Sequence, residues 1–339
     1  MICKATNAAS LQRPPQERKA MLLHEDYPHT VPMRAWLRWK ENYFWVFMDP
    51  DRDICCLAHC TAEPTFERAF MSFVVLHKGQ KLVSGTEVPM PSPFEHQKVL
   101  KYGGLTLHFL KPQAEFRVEY EDENVSAVLN FTRRMHLFDF QASADVNPDW
   151  FSVSENTAFE RNSFRHQGQC MNATGNVTFK SGEWAGTSID VDGSGYRDHS
   201  WGMRNDHLTL DHNWSFFNFP SMGFHVMRVR NVIRPGSMTA EGYIALPEGN
   251  EAIRALEIEN VGEGPEGMPD KVIYRITTFS HATYTLVADV GNAFARLPLQ
   301  STKPGSKTYF NVENMCRVHC EETGESGFAN VEIGKLLDT

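Results

Sequence analysis

Residues 115–120 read Glu-Phe-Arg-Val-Glu-Tyr, charged and apolar by turns. Phe116, Val118 and Tyr120 fall on one side of an extended chain, and Glu115, Arg117 and Glu119 on the other. That is the pattern of a strand with one buried and one wet face. The same period of two returns at Leu256 and Ile258 between Glu257 and Glu259. It returns again at Val272, Tyr274 and Ile276, and at Tyr284 and Leu286. Turn-forming clusters punctuate the chain at Asp49-Pro50-Asp51, Gly103-Gly104, Asp122-Glu123-Asn124, Pro235-Gly236 and Pro304-Gly305. Many short strands with closely spaced turns predict an all-β, antiparallel sandwich or barrel. Helical signals are scarce. The best follows Pro14-Pro15 and covers residues 16–26. The strand–helix alternation of a parallel α/β fold is absent.

At 339 residues the chain suits roughly two domains of about 150 residues each. Its 33 Lys and Arg against 42 Asp and Glu leave a net charge of −9, which argues against a nucleic-acid partner. No apolar run reaches the ~18–20 residues of a membrane span. The first residues lack an apolar core of signal-peptide type, and 7 cysteines are too few and of odd number for a disulfide framework. Both point to the cytoplasm. The most irregular central stretch, Asp190-Val-Asp-Gly-Ser-Gly195, marks the expected boundary. The predicted organisation is an arm over 1–25, a first barrel over 26–192 and a second over 193–339.

Standard cofactor motifs fail. Gly262-Glu-Gly-Pro-Glu-Gly267 matches G-x-G-x-x-G literally, but strand patterns flank it, and a dinucleotide site needs a helix N-terminus there. Cys-x-x-His-Cys occurs twice, at Cys56…Cys60 and Cys316…Cys320. On a strand, residues four apart sit about 13 Å apart, so these read as buried cysteines and not as metal ligands. No metal and no cofactor is expected.

Residues 193–204 read Gly-Ser-Gly-Tyr-Arg-Asp-His-Ser-Trp-Gly-Met-Arg, the densest cluster of chemically capable side chains. In an extended chain Arg197, His199 and Trp201 share one face, and Asp198 and Ser200 share the other. A Ser-His-Asp triad from these adjacent residues is therefore geometrically excluded unless a bulge intervenes. Arg197-Asp198-His199-Ser200-Trp201-Gly202, followed by Arg204, resembles the signature of the AttH-like, carotenoid 1,2-hydratase-like superfamily. Its members include hydroxyneurosporene synthase, kievitone hydratase and the fungal decalin-forming Diels–Alderases. The resemblance implies two consecutive lipocalin-like barrels. It also implies an enzyme that needs no nucleotide, metal or flavin and acts on large, apolar, alkene-bearing molecules. Such a substrate is terpenoid, carotenoid, steroid or polyketide-like.

Hydrating an alkene needs a proton donor, an aromatic face for the cation and a base for the attacking water. Asp198 is the candidate acid, His199 the base and Trp201 the cation-facing aromatic. Tyr196, Arg197, Arg204, Trp214 and Phe216 are candidates for substrate contact. Each has a second reading. Asp198 pairs with Arg197 or Arg204 in a buried network, His199 is a satisfied core histidine, and Trp201 is core or interface. The expected activity is hydration or dehydration by a monomer or homodimer. The alternatives are a carrier holding an apolar ligand inside a barrel, and a cyclase that works by shaping its substrate.

Overall fold

The protein is described as a computed structural model over residues 25–31, 39–140, 164–203, 209–231, 238–264, 267–301 and 309–336. Residues 16–24 of the predicted helix, the arm up to residue 24 and Arg204 lie outside these residues, and residues 25–26 form a turn. Among the described residues the strands are β1 (Trp39–Asp49), β2 (Ile54–Glu63), β3 (Arg68–His77), β4 (Gln80–Pro89), β5 (Val99–Tyr102), β6 (Leu105–Lys111), β7 (Glu115–Glu121), β8 (Val125–Arg133), β9 (Phe138–Asp139), β10 (Phe164–Phe179), β11 (Ser188–Met203), β12 (Thr209–Asn218), β13 (Gly223–Asn231), β14 (Met238–Leu246), β15 (Gly249–Val261), β16 (Lys271–Thr278), β17 (Thr283–Ala288), β18 (Ala295–Ser301), β19 (Tyr309–Cys320) and β20 (Ser326–Leu336).

They form two antiparallel, barrel-like sheets, as the alternating pattern predicts. The first runs β4-β3-β2-β1-β11-β10-β8-β7-β6-β5, with β9 on β10. The second runs β17-β16-β15-β14-β13-β12-β20-β19-β18 and closes through β17 on β19. Residues 115–120 behave as their alternation requires. Phe116, Val118 and Tyr120 are buried in the first core, and Glu115 lies outside.

Both barrel interiors are filled by side chains. Tyr43, Trp45, Phe47, Phe73, Phe109, Phe116 and Phe131 pack the first, and Phe217, Phe224, Tyr274, Ile276 and Leu286 the second. A third core lies between the sheets. It joins Val46, Cys55, Leu57 and Tyr196 of the first to Phe216, Tyr243, Leu297 and Met315 of the second. The cysteines read as buried from the sequence are buried and free: Cys55, Cys56, Cys60, Cys316 and Cys320.

One boundary differs from the sequence reading. β11 runs unbroken from Ser188 to Met203, paired with β1 on one side and β10 on the other. A division at 192/193 would cut this strand, so the passage between sheets comes after Met203. The glycines there do not open a loop. A Cβ on Gly193 would meet the Met48 carbonyl at 2.2 Å, so glycine is what lets β11 lie this close to β1. No helix among the described residues is long and apolar enough to cross a membrane.

Candidate functional site

β11 carries two polar clusters, one on each face, because its side chains alternate. Toward the first barrel point Arg197, His199 and Trp201. Arg197 is 2% exposed. Its Nη2 lies 2.9 Å from Asp26 Oδ1, its Nε donates to Gln169 Oε1 at 2.8 Å, and its guanidinium sits 4.5 Å from the Phe116 ring centroid. His199 Nε2 lies 3.0 Å from Glu41 Oε1. That oxygen also receives the Tyr43 hydroxyl at 3.0 Å and faces His29 Nδ1 at 2.8 Å, while the His29 backbone N–H donates to Oε2 at 3.0 Å. Burial pushes the Glu41 carboxyl up, but the charge of His29 and the hydrogen bonds from both histidines outweigh it and hold it at about 2. Trp201 stacks on His29 at 4.2 Å and 11°. This cluster fastens the segment around Asp26 and His29 onto the barrel.

Toward the second sheet point Tyr196 and Asp198. Asp198 pairs with Gly168 across the strands, and His166 is the diagonal neighbour that reaches it. His166 Nε2 and Asp198 Oδ2 are in direct contact. Phe140 stacks flat on the His166 ring, at 4.2 Å and 4°. Gly168 lets the Tyr196 hydroxyl pack directly against β10. A Cβ there would stand 1.9 Å from the Tyr196 hydroxyl. That hydroxyl lies 2.6 Å from His225 Nδ1 and 3.2 Å from the Tyr243 hydroxyl. Burial lowers His225 far below the ordinary imidazole range, so it stays neutral, and burial keeps Tyr196 and Tyr243 as phenols.

The second sheet supplies the rest. Trp214 on β12 is half-buried and packs against His225 at 4.7 Å, Phe44 at 5.3 Å and Tyr196 at 5.7 Å. Phe216 stacks on Tyr196 at 4.7 Å. Glu241 on β14 is 6% exposed. Burial raises its carboxyl to about 7; the His166 charge pulls it down and the Asp198 charge pushes it up. Beyond Trp214, His212 Nε2 meets Glu332 Oε1 at 2.7 Å, and burial and the Glu332 charge raise the neighbouring Glu313 well above the carboxylate range.

A family model described as "Domain of unknown function (DUF7064)" matches residues 23–336. The chain belongs to the DUF7064 family. No curated protein matches this DUF7064 chain by sequence. Among solved structures, it is similar to CghA in complex with Sch210972, at a TM-score of 0.66 and 12% identity over 94% of this chain and 97% of that one. It is similar to a putative AttH from Nitrosomonas europaea, at 0.61 and 12% over 99% and 100%. Kievitone hydratase from Nectria haematococca matches at 0.58 and 13% over 94% and 93%. The resemblance carried by Arg197–Gly202 is thus borne out in the fold of this DUF7064 protein.

Of the sequence candidates, the structure brings together Tyr196, Asp198, Trp214 and Phe216 between the sheets. It turns Arg197, His199 and Trp201 the other way, as the alternation requires. No bulge interrupts β11 in its pairing with β1 or β10, so His199 and Trp201 are across the sheet from Asp198. Trp201 meets His29 and, at 5.7 Å, the Arg165 guanidinium. Missing from the sequence reading are Glu241, His225 and Tyr243, and His166 was not assigned a role by it.

Proposed function

We propose that this DUF7064 protein is an enzyme that adds or removes water across a C=C bond of a large apolar substrate held between its two sheets. The observation that carries this is Glu241, a buried carboxyl raised to about 7, charge-coupled to the contacting His166–Asp198 pair. A carboxylic acid of that strength is half-protonated at neutral pH and is suited to protonate an alkene. The carbocation would face Trp214, whose ring is partly accessible in the wall made by Phe44, Tyr196 and Phe216. Water attacking the cation would lose its proton to His166, with Asp198 orienting the imidazole and stabilising its charged form. Dehydration is the same path reversed.

This assignment moves the acid from Asp198 to Glu241 and the base from His199 to His166. Asp198 becomes a positioning residue, because its carboxylate contacts the His166 ring nitrogen. The filled barrel interiors weaken the alternative of a carrier that holds its ligand inside a barrel. One neighbour is by its name a hydratase and another holds Sch210972. The CghA likeness keeps a substrate-shaping cyclase as the second reading, in which neither Glu241 nor Asp198 would be needed.

The test is native mass spectrometry of the purified protein with chemical identification of the extracted compound, then incubation of that compound in heavy-oxygen water. Incorporated label supports water transfer. A rearranged, unlabelled product would replace it with cyclisation, and an unchanged compound with carriage.

A further inference from the structure

Three side chains of the inter-sheet cluster are spaced as the ligands of one metal ion are. One ring nitrogen of His166, one of His225 and one carboxylate oxygen of Asp198 lie within 4.8 Å of one another. Bonds of about 2.0–2.2 Å to a zinc-sized ion place tetrahedral ligand atoms roughly 3.5 Å apart. The three side chains therefore need only a small movement to close on one ion. They come from β10, β11 and β13, in two different sheets, and all are buried. Among the described residues Asp198 has His166 as its side-chain partner, which leaves lone pairs on its carboxylate.

His225 is the more specific signal. It is fully buried, its Nδ1 is committed to the Tyr196 hydroxyl at 2.6 Å, and among the described residues its Nε2 has no hydrogen-bond partner. An imidazole oriented through one nitrogen, with the other left over, is how metal-binding histidines are held. The Asp198 carboxylate, in contact with His166, offers the anionic ligand that a cation would balance.

A second histidine–carboxylate–histidine group, His29–Glu41–His199, has the same spacing but different chemistry. Its carboxylate already accepts the Tyr43 hydroxyl and the His29 backbone N–H and contacts both imidazoles. A cation there would have to break the contacts that fasten His29 to the barrel.

We propose that His166, Asp198 and His225 bind one divalent transition-metal ion at the seam of the two sheets, contrary to the sequence expectation of no metal. Two imidazoles and a carboxylate suit Zn²⁺ or Co²⁺ better than Mg²⁺ or Ca²⁺. Three protein ligands leave at least one coordination position open, as in catalytic sites. Tyr196 is the outer partner that fixes the His225 ring. The site shares His166 and Asp198 with the acid–base reading above, and with an ion bound His166 would serve as a ligand and not as the base for water.

The test is titration of the chelator-treated full chain with Co²⁺, followed by calorimetry and by the visible spectrum of the bound ion. One ion per chain is expected, with ligand-field bands of an imidazole-bound cobalt. D198N and H225Q should each weaken binding by more than about 100-fold, and Y196F by about tenfold. H29N, in the other group, should leave it unchanged. Y196F keeps the test open if a ligand variant fails to fold. Absence of stoichiometric binding overturns the proposal. So does binding that survives both D198N and H225Q, or that is lost to the same degree in H29N.

Discussion

Asp198 and His199 are neighbours in the chain and belong to different parts of the molecule. Asp198 faces the second sheet and touches His166, while His199 faces the first barrel and lies 3.0 Å from Glu41. One six-residue string therefore serves two purposes, a chemical one on its outer face and an anchoring one on its inner face. D198N is expected to lower kcat on the recovered compound by about 10–100-fold, because the His166 imidazole loses the carboxylate that orients it, with little change in melting temperature. H199N is expected to do the reverse. Side-by-side turnover and thermal melts check the pair.

Glu241 should set the alkaline limb of the pH–rate profile. It must be protonated to donate, so kcat for hydration is expected to fall as pH rises through about 7. E241Q should abolish that turnover and remove a pH-dependent cost. The folded carboxyl binds its proton more tightly than the unfolded one, so its contribution is fully present below about 4.5 and lost as pH rises through about 7. Above pH 8, E241Q is expected to be more stable than wild type by on the order of 3 kcal/mol. Urea unfolding at pH 5 and pH 8.5 measures the difference.

Glu41 should behave with the opposite sign. Its folded carboxyl is held at about 2, below the ordinary 4.5, so its stabilisation is present above about 4.5 and lost as pH falls through 2. E41Q is expected to cost about 3 kcal/mol at neutral pH and progressively less in acid. Limited proteolysis should show earlier cleavage near residues 25–31 in this variant. D26N leaves the Arg197 guanidinium buried without its carboxylate, and a loss of about 3–5 kcal/mol is expected.

Gly168 is a test of the site's shape. A methyl group there would overlap the Tyr196 hydroxyl at 1.9 Å. G168A is expected to destabilise the fold by about 1–3 kcal/mol through overpacking. Removing the offending oxygen in G168A/Y196F should recover part of that loss, although Y196F alone is destabilising. A double-mutant cycle of unfolding free energies reads the coupling directly.

The period of two was enough to place the strands and to separate Arg197, His199 and Trp201 from Asp198 and Ser200. It was not enough to find Glu241. In Thr239-Ala-Glu-Gly-Tyr243 a glutamate alternating with small residues reads as the wet face of a strand. Only the first sheet, lying across β14, makes that face dry. His225 is hidden in the same way, since its environment comes from Tyr196, 29 positions earlier. Glu41 meets His199 across 158 positions, a separation that no local pattern encodes. The Gly193-Ser-Gly195 break misled because glycine also marks close strand contact, which is its use against Met48.

The central claim is that a protonated carboxyl waits beside the His166–Asp198 pair, and it is measured most directly at Glu241 itself. Carboxyl-carbon NMR of chelator-treated, glutamate-labelled protein, assigned by difference against E241Q, follows that one group through pH 4–9. A midpoint near 7 is expected. A midpoint near the ordinary 4.5 would contradict the account, because Glu241 would then be ionised at neutral pH and unable to protonate an alkene.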